Sequence, residues 1–304
     1  MSNTLIYADD ASYVPGLVSA AKALGDGSPL VLAPTEAVAS ASSEYANAIY
    51  PSGGIADYDA HVVGKLIADV AADRSIDVII LESDKFGKEI AGHAAQIMGA
   101  AACTDVTAAK VDGESRIVRR GSLNGALVEE DRALAETCIL AFAPKSYPDA
   151  ETFAGSCEEV EVEIADPRIK LVDAREKEET RKDVASSDIV LAVGCGVESQ
   201  EGLVAIEELA EKLEAAVGCT KPISTDRKWL PEECTIGISG KTCKPSLAIT
   251  FGASGQVQFW AGIRDAGTVV SVNTDENAGI VALSDASVIM DAVEAAKDIA
   301  SKID

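Results

Sequence analysis

The sequence predicts an α/β fold in two domains, on three observations. Short apolar runs alternate with stretches of helical period, the order expected when helices cross between neighbouring parallel strands. The chain has 304 residues and 47% apolar content, enough to bury one or two sizeable cores, and ordinary domain size favours two. A charged, helix-prone run from Ala174 to Asp188, AREKEETRKDVASSD, precedes a clean apolar strand and reads as both linker and solvated helix face. The boundary is placed at Asp183, giving domains over 1–183 and 184–304.

In the first domain Thr4 to Ala8, Leu30 to Ala33 and Val78 to Leu81 read as strands, separated by helical stretches at about Gly16 to Leu24 and Asp59 to Ala72. That order predicts a mostly parallel sheet with helices on its faces. Lys85 to Met98 continues as a helix with Ile90, Ala94 and Ile97 on one apolar side. Ile117 to Val128 and Thr137 to Ala143 follow as later strands, the second apolar enough to be buried. In the second domain Ile189 to Val193 is a strand and Gly194 to Gly196 a turn. Gly202 to Val217 is an amphipathic helix with Leu203, Ile206, Leu209 and Leu213 inward. Short strands at Leu247 to Phe251 and Val269 to Asn273 precede a closing helix from Ser287 to Ile303.

The formal charge of −24, with two histidines and 4% aromatic residues, argues against nucleic acid or an anionic membrane as partner, because a polyanion repels both. The start, MSNTLIYADD, has no basic or long apolar leader segment. No stretch approaches the roughly 18 uninterrupted apolar residues of a membrane span, so a soluble, cytoplasmic protein is expected. Cys103, Cys138, Cys157, Cys195, Cys219, Cys234 and Cys243 are odd in number and contain no CxxC pair. That pattern fits reduced thiols better than a disulfide framework, a zinc site or an iron–sulfur cluster. His61 and His93 have no motif partner and read as helix-surface or satisfied polar residues. Cys195 sits in a Gly-flanked turn, but no histidine lies nearby in sequence to activate it as a nucleophile.

The densest motif is Ile236 to Pro245, IGISGKTCKP, followed after one short apolar run by the small-residue turn Gly252-Ala253-Ser254-Gly255. Glycine tolerates positive φ and leaves backbone N–H groups open to phosphate oxygens, while Ser239, Lys241 and Ser254 could add hydroxyl and ammonium donors. Two readings stand side by side: a surface for a polyanionic ligand, and an ordinary pair of loops on an α/β sheet.

Six segments in order narrow the choice: VGCGVESQEGL, AAVGCTKPIS, WLPEECTIGISGKTCKP, FGASGQVQFWAGI, VNTDENAG and the segment at Asp285. By their order and spacing the chain resembles, from Val193 to Asp285, the C-terminal domain of the electron transfer flavoprotein alpha subunit. Upstream, DVIILESDKFGKEIAGHAAQIMGAAACTDVTA is similar to the strand, helix and turn of that family's N-terminal domain. The resemblance implies an adenine-nucleotide-hydrolase-like α/β domain followed by a doubly wound, parallel-sheet domain. This second domain would hold FAD in an extended pose, its ring facing a beta subunit. It implies Ser239 near flavin N5, Ser254 in the pyrophosphate turn and Gln258 as the glutamine that precedes the family's histidine. Asn273 and Asp275 fall on the Asn and Asp of the family's "NxD" turn, and Asp285 on an aspartate that approaches the adenosine half. Gly237, Gly240, Gly252 and Gly255 match glycines of close backbone approach, and Lys241 matches a lysine that is either a flavin contact or a solvated charge.

Departures from the pattern bear on tuning. Thr220-Lys221 replaces a Ser-Arg pair beside the flavin ring, keeping positive charge and losing the planar fork. Phe259 replaces a histidine able to hydrogen-bond flavin O2, so negative charge on the reduced ring loses a donor worth about 1 to 3 kcal/mol. Cys195 stands where the family's "GGRG" turn has arginine, and Thr235 where glutamine is expected. Trp260 reads either as a cover for the flat ring or as a core aromatic, and Trp229 as a loop anchor. The leading function is an FAD-binding alpha subunit, an electron carrier rather than a stand-alone enzyme. It would shuttle electrons from dehydrogenases such as an acyl-CoA dehydrogenase to an acceptor, as a heterodimer with a beta subunit. Two alternatives come from other classes. One is a flavin-less assembly or nucleotide-binding subunit; the other is a nicotinamide enzyme on the same scaffold, against which GCGVES lacks the full GxGxxG fingerprint.

Overall fold

The computed structural model describes residues 3–113, 115–123, 127–174 and 181–303. They form two compact units that divide between Ala174 and Arg175. Arg181 and Lys182 bond to Glu207 and to the Glu214 carbonyl, and Asp183 to Lys241, so these three residues pack with the second unit. Of the charged run, residues 175–180 lie outside the described residues; from 181 to 188 it is a turn closed by Ser187 N donating to Asp183 O, where a helix was expected.

The first unit runs β1 (Thr4–Tyr7), α1 (Val14–Ala23), β2 (Leu30–Leu32), α2 (Glu36–Ser42), β3 (Asn47–Pro51), α3 (Ala60–Asp73), β4 (Val78–Glu82), α4 (Lys85–Met98), β5 (Ala101–Asp112), β6 (Ser115–Ser122), β7 (Leu127–Ala133), β8 (Cys138–Phe142) and β9 (Cys157–Val160). These strands form one sheet in the order β7-β6-β5-β8-β4-β1-β2-β3-β9, parallel from β5 through β9 and extended by the antiparallel β6 and β7. β1 and β8 are buried along their whole length because helices cover both faces of the parallel part. The strand expected over Ile117 to Val128 is two strands of a hairpin, paired through Arg119–Glu130 and Arg120–Glu129 contacts; residues 124–126 of it lie outside the described residues. His61 on α3 meets His93 on α4 edge to face, with ring centroids 5.9 Å apart.

Glu82 closes β4 beside Asp9 and Asp84. Burial, then the Asp84 and Asp9 charges, push its carboxyl up from 4.5 to about 7. Between those values the folded chain keeps a proton that the unfolded chain has released. The contribution is therefore most favourable below about 4.5 and is lost as pH rises through about 7. Glu82→Gln should stabilise the first unit by about 1 to 3 kcal/mol at pH 8 and change little at pH 4, as read from denaturant melts at the two pH values.

The second unit runs β10 (Ile189–Val193), α5 (Gln200–Lys212), β11 (Ala216–Cys219), α6 (Lys221–Thr225), β12 (Leu247–Phe251), α7 (Val257–Trp260), β13 (Thr268–Asn273), α8 (Gly279–Leu283), β14 (Ala286–Ile289) and α9 (Ala292–Ser301). The sheet order is β11-β10-β12-β13-β14, parallel throughout. α5 buries Leu203, Ile206 and Leu209 as expected but stops at Lys212, and Ala216 to Cys219 pairs with β10 as a strand, so the helix expected to reach Val217 is shorter. Likewise Ser287 to Ile289 belongs to strand β14, and α9 begins only after Asp291, which accepts from Val293 N and Glu294 N. β14 forms one edge of the sheet, with Val288 and Ile289 exposed. No helix among the described residues is long and apolar enough to cross a membrane.

Candidate functional site

Loops leaving the C-terminal ends of four parallel strands enclose a cleft of about 800 Å³ in the second unit. Cys195 and Gly196 follow β10, Thr220 to Pro222 follow β11, Gly252 and Ser254 to Gln256 follow β12, and Asn273 and Asp275 follow β13. The chain leaves β10 for β11 on one side and resumes with β12 on the other, so the loops after β10 and β12 diverge at a topological switch point. Such crevices are where open α/β sheets bind ligands, and this volume falls within the roughly 300 to 1,000 Å³ typical of ligand sites.

The turn after β12 is fixed by its own bonds. Gly252 N donates to Val272 O at 2.9 Å, Ile280 N to Ser254 O at 3.2 Å, and Asn273 Nδ2 to Ala253 O at 2.8 Å. Its remaining N–H groups are uncommitted: among the described residues no acceptor meets those of Ala253, Ser254, Gly255 or Gln256. Successive free amides on a turn make an anion-binding concavity, so this turn fits the pyrophosphate of a dinucleotide. Gly252 and Gly255 have φ of +64° and +83°. A Cβ at Gly252 would lie 2.7 Å from Gly196 Cα, and one at Gly255 would lie 2.2 Å from Ile280 N. The chain's own packing therefore demands glycine at both positions.

Pro222, Ile236, Ile238, Phe259 and Ala278 supply apolar wall, with Phe259 only 5% exposed. Ser239, Ser254, Thr225 and Gln258 add polar groups, and Lys221 is the one cation among the described lining residues. Thr220 Oγ1 is buried without a hydrogen-bond partner among the described residues. Beneath the wall, Thr235 is 4% exposed and its hydroxyl lies 2.7 Å from Ser224 Oγ, so it braces the site without lining it. Burial and then the neighbouring Cys234 push the Cys219 thiol up to about 12, which leaves it inert as a nucleophile.

Nine expected residues line the cleft: Lys221, Ser239, Gly252, Ser254, Gly255, Gln258, Phe259, Asn273 and Asp275. Four do not. Lys241 is paired with Asp183 at 2.7 Å, and Asp285 accepts from Val269 N at 2.8 Å along the sheet. Gly237 and Gly240 are pressed against the carbonyls of Gln258 and Thr235, where a Cβ would approach to 2.3 and 2.1 Å. Trp260 packs against core residues and does not line the cleft.

Sequence reasoning missed Asp226, Ile238, Gln256 and Arg227. Ile238 and Gln256 directly flank expected residues, and that adjacency was the available signal. Arg227 donates to Val197 O at 2.5 Å and Cys195 O at 3.1 Å, with its guanidinium 4.7 Å from the centre of the Trp229 ring. It thereby ties the turn after β10 to the segment after α6, and nothing in its spacing announced this.

Residues 183–264 match the electron transfer flavoprotein FAD-binding domain, and residues 13–167 match the electron transfer flavoprotein domain. The chain is 26% identical over 303 residues to Protein FixB of Escherichia coli O127:H6, covering 96% of this chain and 95% of that protein. It is 28% identical over 298 residues to the mitochondrial electron transfer flavoprotein subunit alpha of Oryza sativa subsp. indica, covering 95% of this chain and 78% of that protein.

Proposed function

This chain belongs to the electron transfer flavoprotein alpha-subunit family, and on that premise we propose that it holds FAD in the cleft at the ends of β10 to β13. In this reading it pairs with a beta subunit and carries electrons between dehydrogenases, acyl-CoA dehydrogenases among them, and an acceptor in the cytoplasm. The observation that carries the reading is the Gly252 to Gln256 turn, whose four uncommitted amides lie at a switch point beside an apolar wall. FAD, when bound, supplies the redox-active ring; the chain's part is binding, orientation and charge. The turn after β12 would hold the pyrophosphate, with Asn273 fixing its shape through Ala253 O. Ser239, Gln258 and Lys221 would hold the ring end, and Phe259 and Ile238 would exclude water there. Lys221 would then be the side chain that offsets negative charge gained on reduction.

The test is a visible absorption spectrum of the chain co-expressed with its beta-like partner, followed by release and identification of the chromophore. Flavin bands at a stoichiometry near one FAD per chain support the reading. A colourless, well-folded complex that also refuses added FAD would overturn it in favour of the flavin-less assembly role. A second expectation follows from the charge of −24. Electron transfer to an acidic carrier, probed with this subunit alone, should quicken with moderate salt because screening relieves repulsion. A steep fall with salt would contradict it.

A further inference from the structure

The first unit has a switch point of its own, between β1 and β4, because the chain leaves β1 toward β2 on one side and leaves β4 through α4 toward β5 and β8 on the other. The crevice there is lined by Tyr7, Asp9, Leu81, Glu82, Asp84 and Gly87 and has a volume of about 10 Å³, room for one water-sized group. Its carboxylates exclude a nucleotide phosphate. Tyr7 is 3% exposed, and its hydroxyl is buried without a hydrogen-bond partner among the described residues. Burial, and then the charges of Asp9 and Asp57, push that phenol away from ionisation. Asp84 has one oxygen committed to Gly87 N at 2.6 Å, and Lys88 is drawn to Asp105 at 2.8 Å. Asp9, Glu82 and Asp84 have no ion-pair partner among the described residues.

Above about pH 7, where Glu82 is ionised, a buried water would satisfy the phenol oxygen but leave the clustered negative charge unopposed. A small cation meets both needs, since a tyrosine oxygen and carboxylates are all acceptors. Among the described residues no three carboxylate, histidine or cysteine side chains converge as a metal-binding group, and a crevice with room for one water-sized group cannot take a small divalent ion together with the waters it sheds reluctantly. A guanidinium is too large for the crevice. We propose that this crevice binds a single water-sized monovalent cation, ammonium or potassium, between the Tyr7 hydroxyl and the carboxylates of Asp9 and Glu82.

The experiment follows the thermal unfolding midpoint of the full chain at pH 8, where Glu82 is ionised, and at constant ionic strength while ammonium or potassium replaces choline, with tetramethylammonium as the oversized control. Constant ionic strength removes general screening of the −24 charge from the comparison. The expected result is a midpoint that rises and saturates with ammonium and with potassium but not with tetramethylammonium. Tyr7→Phe and Asp9→Asn should each need at least about tenfold more ammonium for half the effect. If Asp9→Asn does not fold, Tyr7→Phe, which removes one oxygen atom, carries the comparison alone. The proposal is overturned if tetramethylammonium acts as ammonium does, if neither small cation moves the midpoint, or if the folded variants respond like the parent.

Discussion

Gly255→Ala is expected to weaken the second unit by about 3 to 5 kcal/mol and to release its flavin. Position 255 has φ +83°, and the new Cβ would lie 2.2 Å from Ile280 N and 2.7 Å from the Gly279 carbonyl carbon. Both neighbours are backbone, so no side chain can turn aside to make room. Relief would have to come from moving the turn that carries the uncommitted amides. Gly53→Ala is the internal comparison: φ is +78°, but nothing lies within 4 Å of an added Cβ. Only the left-handed conformation is penalised there, at about 1 to 2 kcal/mol. Denaturant melts of the two variants, with flavin content measured alongside, separate backbone conformation from collision. Equal losses at the two positions would show that the turn after β12 yields easily despite the bonds that fix it.

Phe259→His should raise the reduction potential of the bound flavin by roughly 40 to 130 mV, the one-electron equivalent of about 1 to 3 kcal/mol. Phe259 lines the cleft, is 5% exposed and sits on α7 with its amide bonded to Gln256 O at 3.0 Å. Its ring has no donor to offer negative charge on reduced flavin, whereas an imidazole N–H in the same place does. A spectroelectrochemical titration of both proteins reads the shift. An unchanged potential would mean that residue 259 does not reach the redox-active ring and would leave its burial as a matter of packing.

What was legible in the sequence was what local side chains decide. α4 was found at both ends because Asp84 caps its first turn and Gly99 ends it at φ +62°. β11 was hidden because Ala216 and Val217 extend the apolar stripe of α5, and the break is a backbone event at Glu214, with φ +52°. β14 was taken into α9 because its uncharged residues give no period, and the deciding feature is the Asp291 cap. The cleft was legible where glycine and serine turns are local. Lys241 and Asp285, which do not line the cleft, bond to Asp183 and Val269, 58 and 16 residues away. Whether a charge is free for a ligand depends on such distant pairings. A sequence read in one dimension does not display them.

β14 has a consequence for handling the isolated subunit. Its outer edge offers unpaired backbone groups flanked by Val288, Ile289 and Met290, with no lysine, proline or bulge to deter a second strand. At neutral pH and low salt the surplus negative charge keeps copies apart. Acidification or concentrated salt removes that barrier while leaving the edge unchanged. Precipitation of the subunit under those conditions should therefore begin as edge-to-edge polymerisation of folded molecules and precede any loss of native structure.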